Sequence, residues 1–72
     1  MGASEFLRAV KAVGKRRSVN VHFDARHGKG SHGRLYYGDK STTLKGLTKE
    51  IGPGLLAQML SELGLEKKDL LG

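Results

Sequence analysis

The chain has no cysteine, so no disulfide framework can brace it and no cysteine-containing zinc knuckle can form. Its fold must stand on apolar packing and hydrogen bonds. It also lacks any run of about 18 apolar residues, the length a membrane-spanning helix needs. The opening Met1-Gly2-Ala3-Ser4-Glu5 does not have the basic-then-apolar order of a signal peptide. Phe6 stands where a myristoylation motif requires Ser or Thr. A cytoplasmic protein with no membrane partner is therefore the expectation. No internal repeat, low-complexity tract or interdomain linker interrupts the sequence, and 72 residues leave room for one domain, 1–72, with one core and no deep substrate pocket. At this size burial and conformational entropy nearly cancel, so a partner can matter to stability.

Acidic residues are scarce too: 7 Asp and Glu stand against 13 Lys and Arg, for a net charge of +6. The imbalance is local. Met1 to Lys49 holds 11 Lys and Arg against Glu5, Asp24 and Asp39, an excess of +8, whereas Glu50 to Gly72 carries −2. A positive field confined to part of a small domain suits a polyanion or an acidic protein, and a merely solvated basic surface is the alternative.

Ser4 can cap a first helix, with Glu5 at the positive end of the helix dipole and Phe6, Val10 and Val13 recurring at helical spacing beside Leu7. Gly14 reads as the stop, and Lys15-Arg16-Arg17 then suits the negative end of the helix or a phosphate. From Ser18 the period changes to two. Val19, Val21 and Phe23 alternate with Asn20, His22 and Asp24, as in a strand with one buried face and His22 outward.

A glycine-rich stretch from Arg26 to Gly33 leads to a second strand, Arg34-Leu35-Tyr36-Tyr37, and Gly38-Asp39-Lys40 turns into a third, Ser41-Thr42-Thr43-Leu44. Gly52-Pro53-Gly54 announces a helix with Pro53 at its first position, and Leu55, Leu56, Met59, Leu60 and Leu63 form its apolar face. Gly64-Leu65 has the form of a Schellman cap, and Glu66 to Leu71 can add one more turn. The pattern predicts a small α+β domain, α-β-β-β-α. Its three-stranded antiparallel sheet has two helices on one face and leaves the other face free.

The segment Gly28-Lys29-Gly30-Ser31-His32-Gly33-Arg34-Leu35-Tyr36-Tyr37 sets one imidazole among cations at the mouth of a strand. Histidine, with an unperturbed pKa of roughly 6.5, can take and give a proton near neutrality. Metal-free RNA cleavage needs a base for the 2′-hydroxyl, an acid for the departing 5′-oxygen, and positive charge on the phosphoryl oxygens. His32 can be the base or the acid, with Lys29 and Arg34 gripping phosphate. By strand parity Arg34 and Tyr36 share a face with His32. One of Tyr36 and Tyr37 belongs in the core and the other can stack on a base.

Lys45 and Lys49 extend the cationic track, and Ser31, Thr42 and Thr43 can donate to phosphate. His22, His27 and His32 do not have metal-ligand spacing, so no metal and no cofactor are expected. His22 and His27 read as a strand-surface and a loop residue. No Ser-His-Asp triad is supported, and without a following helix the glycines make no phosphate-binding P-loop.

With these residues in view, the sequence resembles the HicA family of toxin mRNA interferases over nearly its whole length. The likeness is carried by Gly28-Lys29-Gly30-Ser31-His32 and by Lys49-Glu50-Ile51-Gly52-Pro53-Gly54-Leu55-Leu56 leading through Met59-Leu60 to Gly64-Leu65. The resemblance implies a fold like that of double-stranded-RNA-binding domains and a catalytic role for His32. It also implies an endoribonuclease that cleaves messenger RNA, inhibits translation, and is neutralised by a HicB-type antitoxin protein covering the histidine. RNA contacts are then expected from Lys29, Ser31, Arg34, Tyr36, Lys45 and Lys49. Two other readings stay open: a non-catalytic module for double-stranded RNA, and a basic structural protein docked to an acidic partner. The group that assists His32 is also left open.

Overall fold

The computed structural model describes residues 1–24, 32–46 and 49–71, and of His32, Lys45 and Leu71 the backbone alone. Helix α1 spans Ala3–Arg17, strands β1, β2 and β3 span Val21–Asp24, His32–Tyr37 and Lys40–Lys45, and helices α2 and α3 span Pro53–Leu63 and Lys67–Leu71. The sheet is antiparallel in the order β1-β2-β3. This is the α+β arrangement the sequence predicts, with the strands longer or shorter by one or two residues.

The apolar stripes explain why both long helices lie on one side. Ala3, Phe6, Leu7, Val10 and Val13 of α1 and Leu56, Met59, Leu60 and Leu63 of α2 are buried with Leu35, Tyr37 and Leu44 of the sheet. Each large side chain removed from water contributes about 1.5–3 kcal/mol. Val21 and Phe23 pack against the same cluster, so alternate residues of all three strands face the helices.

The helix ends differ in how well the sequence foretells them. Gly52 and Pro53 open α2 as expected. At its end the Gly64 N–H donates to the Ser61 carbonyl, the Leu65 N–H donates to the Leu60 carbonyl, and Gly64 adopts φ 73°, which completes the Schellman cap. In α1 the cap is Gly2 rather than Ser4, with the Glu5 side chain accepting from the Gly2 N–H at 3.1 Å.

Gly14 does not stop α1. The helix runs through it to Arg17, and Ser18 takes the left-handed turn at φ 57°. Gly14 is needed for close approach instead. A Cβ there would collide with Val21 Cγ2 and lie 2.8 Å from the Val19 carbonyl oxygen, because the chain leaving the helix folds back against it and the first side chain of β1 packs on Gly14.

Candidate functional site on the open sheet face

Because Gly33, Leu35 and Tyr37 face the helices, the intervening residues of β2 belong to the side away from them. The register completes that face. His22 stands opposite Tyr36 and Asp24 opposite Arg34 on β1; Ser41 stands opposite Tyr36 and Thr43 opposite Arg34 on β3. All six are polar or amphipathic, and none belongs to the core.

Arg34 is held in place by the strand beside it. Its Nη1 donates to Thr43 Oγ1 and its Nη2 to Ser41 Oγ, both at 2.9 Å. Two neutral hydroxyls fix the plane of the guanidinium without cancelling its charge, and the fork has further donors for an anion. Beside it the rings of His22 and Tyr36 stack across β1 and β2, with centroids 6.1 Å apart and planes 25° apart. A cation and a two-ring aromatic surface therefore adjoin on one polar sheet face.

His32 is the first residue of β2, paired across the sheet with Lys45, and it has the strand parity of Arg34 and Tyr36. Lys29, Ser31 and His27 lie outside the described residues, as do the side chains of His32 and Lys45. Lys49 is exposed, and its carbonyl accepts from the Ala3 N–H at 2.8 Å, which ties the segment before α2 to the start of α1. It borders a groove of about 480 Å³ between β3 and α2, lined also by Thr43, Leu44, Ile51, Leu55 and Met59.

One sequence reading is overturned and two are made specific. Thr42 is not on the open face: it is 1% exposed, on the helix side, and its hydroxyl donates to Glu62 Oε1. That geometry removes it as a phosphate donor. Of the two adjacent tyrosines, Tyr37 is the core residue and Tyr36 the surface one.

The run Lys15-Arg16-Arg17 is partly committed to the protein itself. Arg17 Nη2 donates to Asp69 Oδ1 and Arg16 Nη2 to the Asp69 carbonyl, each at 2.8 Å. The Tyr37 hydroxyl, and then the Asp69 carboxylate, push the Arg17 guanidinium above its ordinary pKa. The Glu66 N–H, and with it Arg17, holds the Asp69 carboxyl below its ordinary value against the opposing cost of desolvation.

Sequence reasoning gave His22 no defined task and did not single out Ser41. Both become visible only once the cross-strand register is known, although the alternation of β1 already turned His22 outward. Among the described residues no three His, Cys, Asp or Glu side chains gather as a metal site, and no helix is long and apolar enough to cross a membrane. In comparisons with known proteins, no family model matches the chain, and neither does any curated protein or solved structure.

Proposed function

We propose that the protein is a metal-independent endoribonuclease of HicA type, a toxin that cleaves messenger RNA and so inhibits translation, with His32 as its general acid or base. The observation that carries this reading is the register of β2. His32 starts the strand opposite Lys45, two residues before an Arg34 whose guanidinium is fixed by Ser41 and Thr43 on the sheet face away from the described helices.

In the reaction the 2′-oxygen attacks the adjacent phosphorus and the P–O5′ bond breaks, leaving a 2′,3′-cyclic phosphate and a 5′-hydroxyl. A base takes the 2′-hydroxyl proton, and an acid supplies one to the departing oxygen. Arg34, with Lys29, Lys45 and Lys49 as further cations, stabilises the charge that develops on the phosphoryl oxygens. In-line attack needs a sugar and phosphate free of A-form restraint, so single-stranded stretches are the substrate.

The resemblance at Gly28–His32 and at Lys49–Leu65, together with the +6 charge, supports the same reading and suggests an antitoxin of HicB type and a cytoplasmic site of action. Labelled RNA incubated with purified protein in EDTA tests it. Fragments that appear with the wild type and not with His32→Ala are expected. RNA that is bound with a steep salt dependence but stays intact would instead identify a non-catalytic binding module.

A further inference from the structure

His22 is the second imidazole of the open face, and its position rules out the simplest use for it. It stands opposite Tyr36, four residues along β2 from His32. At about 3.3 Å per residue the two positions are roughly 13 Å apart along the strand, too far for both to serve one scissile phosphate.

What His22 does have is a ring partner. It is exposed, and it stacks on Tyr36 at 6.1 Å between centroids and 25° between planes. On the same strand face stands Arg34, whose guanidinium is held by the Ser41 and Thr43 hydroxyls of β3.

We propose that His22 and Tyr36 form a ledge on which one unpaired nucleobase stacks while Arg34 takes a neighbouring phosphate, making a subsite displaced along the strand from His32. The inference rests on the reading of this face as the nucleic-acid surface, and it adds a specificity-determining residue to it. Aromatic rings on a sheet bind bases through their π-faces, which a stacked duplex does not offer, so such a ledge selects single strands. Stacked on each other, the two rings leave their outer faces to a base, and His22 backs the Tyr36 ring that Tyr36 alone would leave unsupported. Their contact with each other already orders both rings in part before a base arrives.

The test uses the full-length protein and a fluorescent deoxyoligonucleotide. That strand has no 2′-hydroxyl, so binding is read without cleavage and independently of His32. The wild type should bind the single strand more tightly than the same strand annealed to its complement. His22→Ala should weaken single-strand binding by about tenfold and leave duplex binding unchanged, while His22→Phe should restore it. Tyr36→Ala should weaken single-strand binding at least as much as His22→Ala. Equal single-strand binding by wild type and His22→Ala, equal losses on single strand and duplex, or a wild type that does not prefer the single strand would each overturn the ledge. The RNA-cleavage assay decides the enzymatic reading separately, so the two can fail independently.

Discussion

At the scale of single residues, Arg34 shows most clearly what the fold does to a side chain. A free arginine on a sheet would sweep a wide arc; here Ser41 and Thr43 hold the fork in one plane. Arg34→Ala should therefore weaken binding to single-stranded RNA irrespective of sequence and reduce the slope of log affinity against log salt by about 0.7. Arg34→Lys should keep the slope and still lose affinity, because a point charge cannot use the two hydroxyls as a guide. Titrations at several salt concentrations check both.

That Arg34 and Tyr36 share a face was legible from the alternation of β2 alone. The hydroxyls that hold Arg34, and the ring that meets Tyr36, were not. They depend on which residue of a neighbouring strand comes opposite, and that is fixed by turns whose length a periodicity does not encode. Thr42 was misread for a related reason. A Thr-Thr pair gives no sign of which member is buried until Leu44 is seen to face the core and Thr42 with it.

At the scale of elements, the second helix was readable from end to end, because Gly52, Pro53 and Gly64 each have one evident role there. The first was not. Gly14 followed by three basic residues looks like a helix end, yet the helix runs on to Arg17 and Gly14 is buried where Val19 and the Val21 side chain fold back against it. Local sequence cannot distinguish a glycine chosen for its backbone freedom from one chosen for having no side chain.

The two roles predict opposite outcomes for Gly14→Ala. At an exposed interior helical site the change would stabilise by about 0.8–1.0 kcal/mol. Here the added methyl meets the Val19 carbonyl oxygen at 2.8 Å, and backbone cannot rotate away, so a net loss of about 1–3 kcal/mol is expected in urea unfolding. Any stabilisation would show that Val19 and Val21 do not close on Gly14 as described.

At the scale of the whole molecule, helices cover one sheet face and leave the other to polar side chains, and the chain is closed on the helical side by Asp69. Its carboxylate joins α3 to Arg17 at the end of α1, while the Arg16 guanidinium takes its carbonyl. The Asp69 carboxyl is held below its ordinary pKa, so the unfolded chain binds its proton more readily than the folded one. The stabilisation is therefore fully present above the unfolded value of about 3.9 and is lost as pH falls through the lower folded value. Asp69→Asn should lower the urea midpoint at pH 7, and the difference from wild type should shrink toward zero in strong acid. A difference that persisted there would assign Asp69 a packing role rather than an ionic one.

The same division of faces is what makes a catalytic reading of so small a chain possible. In the proposed reaction, charge and proton transfer are arranged on the sheet face away from the helices. In that proposed reaction His32 moves the proton when RNA is cut. The decisive experiment measures, in EDTA, the rate at which wild type and His32→Ala convert a labelled single-stranded RNA to fragments ending in 2′,3′-cyclic phosphate, with circular dichroism confirming that both are folded. We predict such fragments from the wild type and a rate at least a hundredfold lower, on the order of what one positioned acid or base contributes, from the variant. Equal rates from the two folded proteins would contradict the assignment.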